Sequence, residues 1–164
     1  MKKIVIGVLL SILITVPAFA GTAYIPEFGI GANTGSETIR TDIYVSNVSE
    51  IAQRVTIKLI KNDGTPLANQ PLQSRYAGGS PFNSNTDANG EFSFDLPAET
   101  SGVISLAPGA TWYDGHGKIT GVAISGTAQH IRSLTATAFL TDTDPTNTSL
   151  IFHKSITING GNPF

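Results

Sequence analysis

The chain contains no cysteine, which removes disulfide frameworks, thiolate nucleophiles and cysteine-bound metals together. Charged side chains make up only 13% of it, and the formal net charge is −2. Such a chain has no basic footprint for nucleic acid or anionic lipid. The three histidines, His116, His130 and His153, are 14 and 23 positions apart, so no H-x-x-x-H or H-x-H metal pair exists. One tryptophan and four tyrosines are few for the aromatic girdles of a membrane barrel. Long apolar runs are missing after residue 20, so no helix is expected to cross a membrane.

What is present begins with "MKKIVIGVLLSILITVPAFA". Lys2 and Lys3 precede the apolar run Ile4 to Val16, and Ala18 and Ala20 flank Phe19. This is the pattern of a secretory signal peptide with an A-x-A cleavage site. Its 13-residue run falls short of the ~20 residues that span a bilayer as a helix. Residues 1–20 are therefore expected to be removed after Ala20, and the protein to be exported to the cell surface or medium, with the periplasm the other compartment open to it.

The remaining 144 residues, 21–164, suit one domain and hold 18 threonines and 13 serines, with glycine and proline scattered among them. β-branched residues pack well on a pleated surface, while Gly and Pro punctuate short elements, so the composition points to an all-β domain. Alternation supports this. Ile39, Ile43 and Val45 share a parity in "TIRTDIYVSNV"; Val55, Ile57 and Leu59 do so in "QRVTIKLIKNDG", which ends on an Asp63-Gly64 turn. Phe92, Phe94 and Leu96 repeat the pattern in "EFSFDL". With "AYIPEF", "GVISL", "KITGVAISG", "IRSLTATAFLT" and "TSLIFHKSITI" the strands number about eight. Short strands at this spacing predict a single antiparallel β-sandwich. Residues 62–90, broken by Pro66, Pro71 and Pro81, read as an excursion with at most short edge pairing.

The segments "YIPEF", "TDIYVSNVSEIAQRVTIKLIKNDGTPL" and "ISLAPGATW" resemble a pattern of uncharacterised secreted bacterial proteins with immunoglobulin-like β-sandwich domains. The shared signals are I-P-x-F, a strand ending in Asn-x-Ser, V-T-I-x-L, D-G-x-P-L and L-x-P-G, over about half of the mature chain. The stretch from Ala68 to Ile104 departs from the compact version of that pattern. Within it "TDANGEFSFDLPA" is similar to the turn and strand of carboxypeptidase-regulatory or collagen-binding B-type modules. The resemblance implies an immunoglobulin-like fold and carries no catalytic residue.

Chemistry-bearing groups are sparse. "AISGTA" around Ser125 lacks the first glycine of a G-x-S-x-G elbow, and paired carboxylates for glycoside hydrolysis need a deep cleft that 144 residues hardly supply. The chain is accordingly expected not to be an enzyme. "TWYDGHGK" sets Trp112 and Tyr113 beside Asp114 and His116, aromatic faces next to an acid, which suits a sugar or peptide. The competing reading makes Trp112 a core anchor and Asp114-Gly115 a turn into the next strand. "LTDTDPTNTS" offers Asp142, Asp144 and Asn147 as hard oxygen ligands for calcium, although the EF-hand Gly and Glu positions are Asn147 and His153. Calcium is the only cofactor to which the sequence points, and Pro145 with its Asp and Asn neighbours equally describes a plain turn.

The leading expectation is a non-catalytic secreted protein acting by binding or assembly at the cell surface or in the extracellular matrix, in adhesion or as a structural component. Its partners would be a protein, a glycan or further copies of itself, and not nucleic acid. One alternative is a carbohydrate-binding module using Trp112 and Tyr113. A second is a small outer-membrane β-barrel, suggested by the C-terminal "SITINGGNPF" and opposed by Gly160-Gly161 and Pro163, which interrupt the last strand.

Overall fold

The computed structural model describes residues 21–32, 38–76, 82–106, 109, 111–124, 133–144 and 149–164; the signal-peptide assignment, on 1–20, lies outside them. The described chain is all-β. Its strands are β1 (Gly21–Ala32), β2 (Thr38–Asn47), β3 (Gln53–Lys61), β4 (Pro71–Tyr76), β5 (Phe82–Asn85), β6 (Glu91–Leu96), β7 (Ser101–Leu106), β8 (Tyr113–Ala123), β9 (Leu134–Asp144) and β10 (Ser149–Thr157), followed by a 3-10 turn at Asn159–Gly161. The two strands beyond the expected eight, β4 and β5, come from within residues 62–90. They pair with each other, and β4 pairs with β7.

All pairings are antiparallel. One ladder runs β6-β3-β8-β1 and the other β5-β4-β7-β2-β9-β10. Strand β1 joins them: Gly21 to Ile30 lie along β8, whereas Gly31 and Ala32 pair with Ile39 and Thr38 of β2. The register shifts between Ile25 and Phe28. Three steps on β1 there match two on β8, from Gly117 to Gly115, so one residue is extra. That is a β-bulge, and Pro26, which has no N–H to give a ladder, sits in it. The bulge keeps Ile25 and Phe28 both inward and fully buried. The I-P-x-F signal is thus the sequence of a strand changing direction.

The crossing leaves one main-chain step without a ladder partner. At Gly29 the β8 neighbour is Asp114, whose carbonyl accepts from Asn62 N–H on the far side. The Thr41 hydroxyl takes the ladder's place. It accepts from Gly29 N–H at 3.0 Å and donates to Gly29 O at 2.8 Å, in a fully buried position.

The inward faces of both ladders share one apolar cluster, including Ile25, Phe28, Ile57, Leu59, Ile104, Ile119 and Leu134. Strand β8 places Gly115, Gly117 and Gly121 inward. A Cβ on Gly121 would collide with Leu134 Cδ1 of β9. The two ladders therefore meet there at the distance of a bare backbone. Asp114 and Gly115, expected as a turn, are instead strand residues paired with Gly29 and Phe28. Glycine at 115 is needed because a Cβ there would fall 2.0 Å from the Ile60 carbonyl oxygen of β3 and 2.8 Å from the edge carbons of the Phe28 ring.

The last residues are docked. Phe164 is 5% exposed, its N–H donates to Leu134 O, and its O accepts from the N–H groups of Ser133 and Leu134. Its main chain lies so close to Gly21 that a Cβ there would overlap it. Asn159, Gly160 and Gly161 all have positive φ, and this sharp reversal returns the segment to the start of β9.

Candidate functional site

The end of β3 and the start of β8 lie side by side, with Lys61 opposite Gly115. Beyond this pair the "KNDGT" turn closes through Gly64 N–H to Lys61 O and Lys61 N–H to Thr65 O. Asp63 accepts from the Thr65 hydroxyl at 2.6 Å and from its N–H at 2.9 Å. These bonds, the hydroxyl first, hold the Asp63 carboxyl below its ordinary value. The turn and the start of β8 together line a shallow, open hollow of about 330 Å³ formed by Lys61, Asn62, Asp63, Trp112, Tyr113 and Asp114.

Trp112, Tyr113 and Asp114 line this hollow together, and Lys61, Asn62 and Asp63 join them from a turn that the sequence offered only as punctuation. His116 is not in the hollow. It sits exposed on β8 opposite Ile60, pointing with Lys118 to the outside of the ladder. The rings are partly engaged already. A Cβ on Gly31 would come within 2.7 Å of Trp112 Cδ2, so the indole lies against the β1 backbone. Tyr113 packs against the core, and the Lys61 ammonium stands 5.4 Å from its ring centroid. Lys61 also lies 3.8 Å from the Asp63 carboxylate. A stacking partner would have to share these rings with groups that already touch them.

For calcium, Asp142 lies within β9 opposite Ile39 of β2 and Phe152 of β10, and its Oδ1 is buried without a hydrogen-bond partner. Asp144 ends the strand opposite Ser149. Asn147 lies outside the described residues, as does His130. Among the described residues no three His, Asp or Glu side chains gather to hold a metal ion.

Most of the buried polar side chains that sequence reading missed bind main chain; Asp42 instead accepts from the Arg40 guanidinium. Asn47 donates from Nδ2 to the carbonyls of Ile51 (2.8 Å) and Pro97 (2.9 Å), with Leu96 at 3.2 Å, and accepts from Ser49 N–H and hydroxyl at Oδ1. It ties the β2–β3 turn to the end of β6. The Asn-x-Ser signal is therefore an Asx-type turn with its side chain turned inward. Thr86 does similar work in the excursion, donating to Leu67 O and accepting from Gln70 N–H. Asp87 accepts from the N–H groups of Asn89 and Glu91 at 2.8 Å each, which shapes the "TDANG" turn.

Comparison with protein-family models, curated proteins and solved structures finds no match to this chain.

Proposed function

We propose that the protein is a secreted, non-catalytic β-sandwich of immunoglobulin-like build that acts by binding or assembly at the cell surface or in the extracellular matrix. The observation that carries this reading is where three buried polar side chains, Thr41, Asn47 and Thr86, direct their hydrogen bonds. Each holds a turn or strand crossing together. A catalytic side chain must instead keep an acid, base or nucleophile free within reach of a substrate. Two antiparallel ladders facing each other across one apolar core support the sandwich. The outward Arg54–Asp95 and Lys58–Glu91 pairs on β3 and β6 favour water over lipid around the domain, against the small membrane barrel. Cell fractionation that returned the protein only with detergent-extracted outer membrane would overturn the location. Turnover of any substrate in a broad hydrolase panel, abolished by replacing one acid or serine, would overturn the non-catalytic role.

The second reading is a glycan site in the hollow. It is favoured by the convergence of Trp112, Tyr113 and Asp114 with the Lys61–Asp63 turn. Glycan-array binding by the protein that is lost in Trp112→Ala and Tyr113→Ala would establish it, and binding that survives both would remove this site.

A further inference from the structure

The two outward faces of the protein differ in chemistry. On the β6-β3-β8 ladder the outward positions include Arg54, Lys58, Glu91, Asp95 and Lys118, and cross-strand ion pairs tie the first four together. On β7, β2, β9 and β10 the outward positions are mostly serine and threonine. At the described outward positions the charged side chains are Arg40 and Asp42, paired at 2.8 Å; Asp142 of β9 has the inward parity of Leu140, and Lys154 of β10, on the parity of Ile156, is exposed and pairs with Glu27 of β1.

A row of rings crosses this second face. Tyr44 of β2, 45% exposed, meets Phe139 of β9 edge-on with centroids 5.3 Å apart. Phe139 stacks at 5.2 Å on His153 of β10, which is exposed and within 3.3 Å of the Thr141 hydroxyl. Asp42 stands directly opposite Phe139 and shares the outward parity of Tyr44. It is only 8% exposed, and while Oδ2 accepts from Arg40, Oδ1 is buried without a hydrogen-bond partner. A buried carboxylate oxygen is stabilised by a donor brought within hydrogen-bond distance of it. The Arg40 side chain, half exposed, can swing on its long stem to admit one.

We infer that the outward face of β7, β2, β9 and β10 is a docking face for an extended, neutral polysaccharide, with Tyr44 and Phe139 supplying apolar contact and Asp42 accepting from a sugar hydroxyl. A pyranose matches the chemistry of this face. Its O–H groups are donors for the Asp42 oxygen and for the threonine hydroxyls, and its C–H surface packs on rings. The self-neutralised Arg40–Asp42 pair leaves no net field to attract a charged polymer. Four adjacent strands at ~4.8 Å spacing give a surface about 14 Å across, enough for several sugar units side by side or end to end. A protein partner fits less well, because protein interfaces are depleted in serine at their centres and favour a continuous apolar core.

This inference rests on the binding role proposed above and names the ligand class. The test is retention of the protein on amorphous cellulose and on chitin, two insoluble neutral polymers, with sodium alginate as the anionic comparison. The expected result is retention on at least one neutral polymer that survives 0.5 M salt, since neutral contacts are not screened. Tyr44→Ala and Thr137→Lys, both at solvent-accessible outward positions, should each weaken retention about tenfold, with thermal unfolding unchanged. Lys118→Ala, on the opposite face, should leave it as it was. Three results would overturn the inference: no retention on either neutral polymer, retention unaffected by both face variants, or retention abolished by Trp112→Ala and not by them. Failure of retention without any substrate turnover removes only the polysaccharide face, whereas turnover removes the binding role itself.

Discussion

Replacing Thr41 by valine tests the joint between the two ladders, because the two side chains have nearly the same shape and differ in the hydroxyl. In the native protein that hydroxyl serves both Gly29 N–H and Gly29 O, and Thr41 is fully buried. Valine leaves a donor and an acceptor stranded where water does not reach. Each such group costs about 1–3 kcal/mol, so the pair should lose about 2–4 kcal/mol once some relaxation of β1 is allowed. With a urea m-value of about 1–3 kcal/mol/M for a domain of this size, the midpoint should fall by roughly 1–2 M at constant m. Thr41→Ser keeps the hydroxyl and loses one methyl, so it should cost only about 1 kcal/mol. Urea unfolding followed by far-UV circular dichroism reads both. A valine variant within about 0.5 kcal/mol of wild type, or a serine variant as unstable as the valine one, would refute the argument that the hydroxyl stands in for a ladder rung.

The close meeting of β8 and β9 predicts that Gly121→Ala, which drives a methyl into Leu134, loses about 1–3 kcal/mol in the same assay; a neutral outcome would mean that the ladders are not in contact there. Removing the last three residues deletes the buried Phe164 ring and its bonds to Ser133 and Leu134. Burial of the ring alone stabilises by about 1.5–3 kcal/mol, so the melting temperature should drop by several degrees and the Leu134 amide should exchange faster with solvent. Acid stability follows from three carboxylates held below their ordinary values: Asp63 by the Thr65 hydroxyl, Asp87 by the Glu91 N–H, and Asp95 by Arg54. A depressed folded-state value means that each contribution is present above the unfolded value of about 3.9 and is lost as pH falls through the lower folded one. Asp87→Asn should therefore flatten the fall of the urea midpoint below about pH 4, and an unchanged acid limb would contradict the turn's role.

How much of this was legible in the sequence depends on whether a signal is local. Alternation in "QRVTIKLIK" and "EFSFDL" marked the buried faces of β3 and β6 correctly, because parity is a property of one strand. The turn signals were legible for the same reason: Asp63-Gly64 and Asp87 to Gly90 shape the chain through their own backbone groups. The strands β4 and β5 were harder to see, since three prolines weaken the local pattern and β4 gains its place by pairing with β7, about thirty residues further along the chain. Asp114-Gly115 misled for a related reason. The dipeptide is a good turn locally, yet the Ile60 carbonyl of β3 and the Phe28 ring of β1 close on the place of the missing Cβ, and the pair becomes strand.

The same distinction governs the candidate sites. Trp112, Tyr113 and Asp114 could be singled out together because they are consecutive, while the Lys61–Asp63 side of their hollow depends on the β3–β8 register. Tyr44, Phe139 and His153 are separated by 95 and 14 residues, and nothing near any one of them names the other two. They become neighbours only because β9 pairs with β2 on one side and β10 on the other. Composition did contain a trace of the resulting face: a mature chain with 18 threonines, 13 serines and few charges has to place its hydroxyls somewhere. The fold concentrates its paired outward charges on the β3–β6 side and its hydroxyls and rings on the β2-β9-β10 side. A surface left this neutral has little to hold it apart from a neutral partner. That makes the outward face, more than the hollow with its already occupied rings, the place where a binding function would first lose strength on mutation.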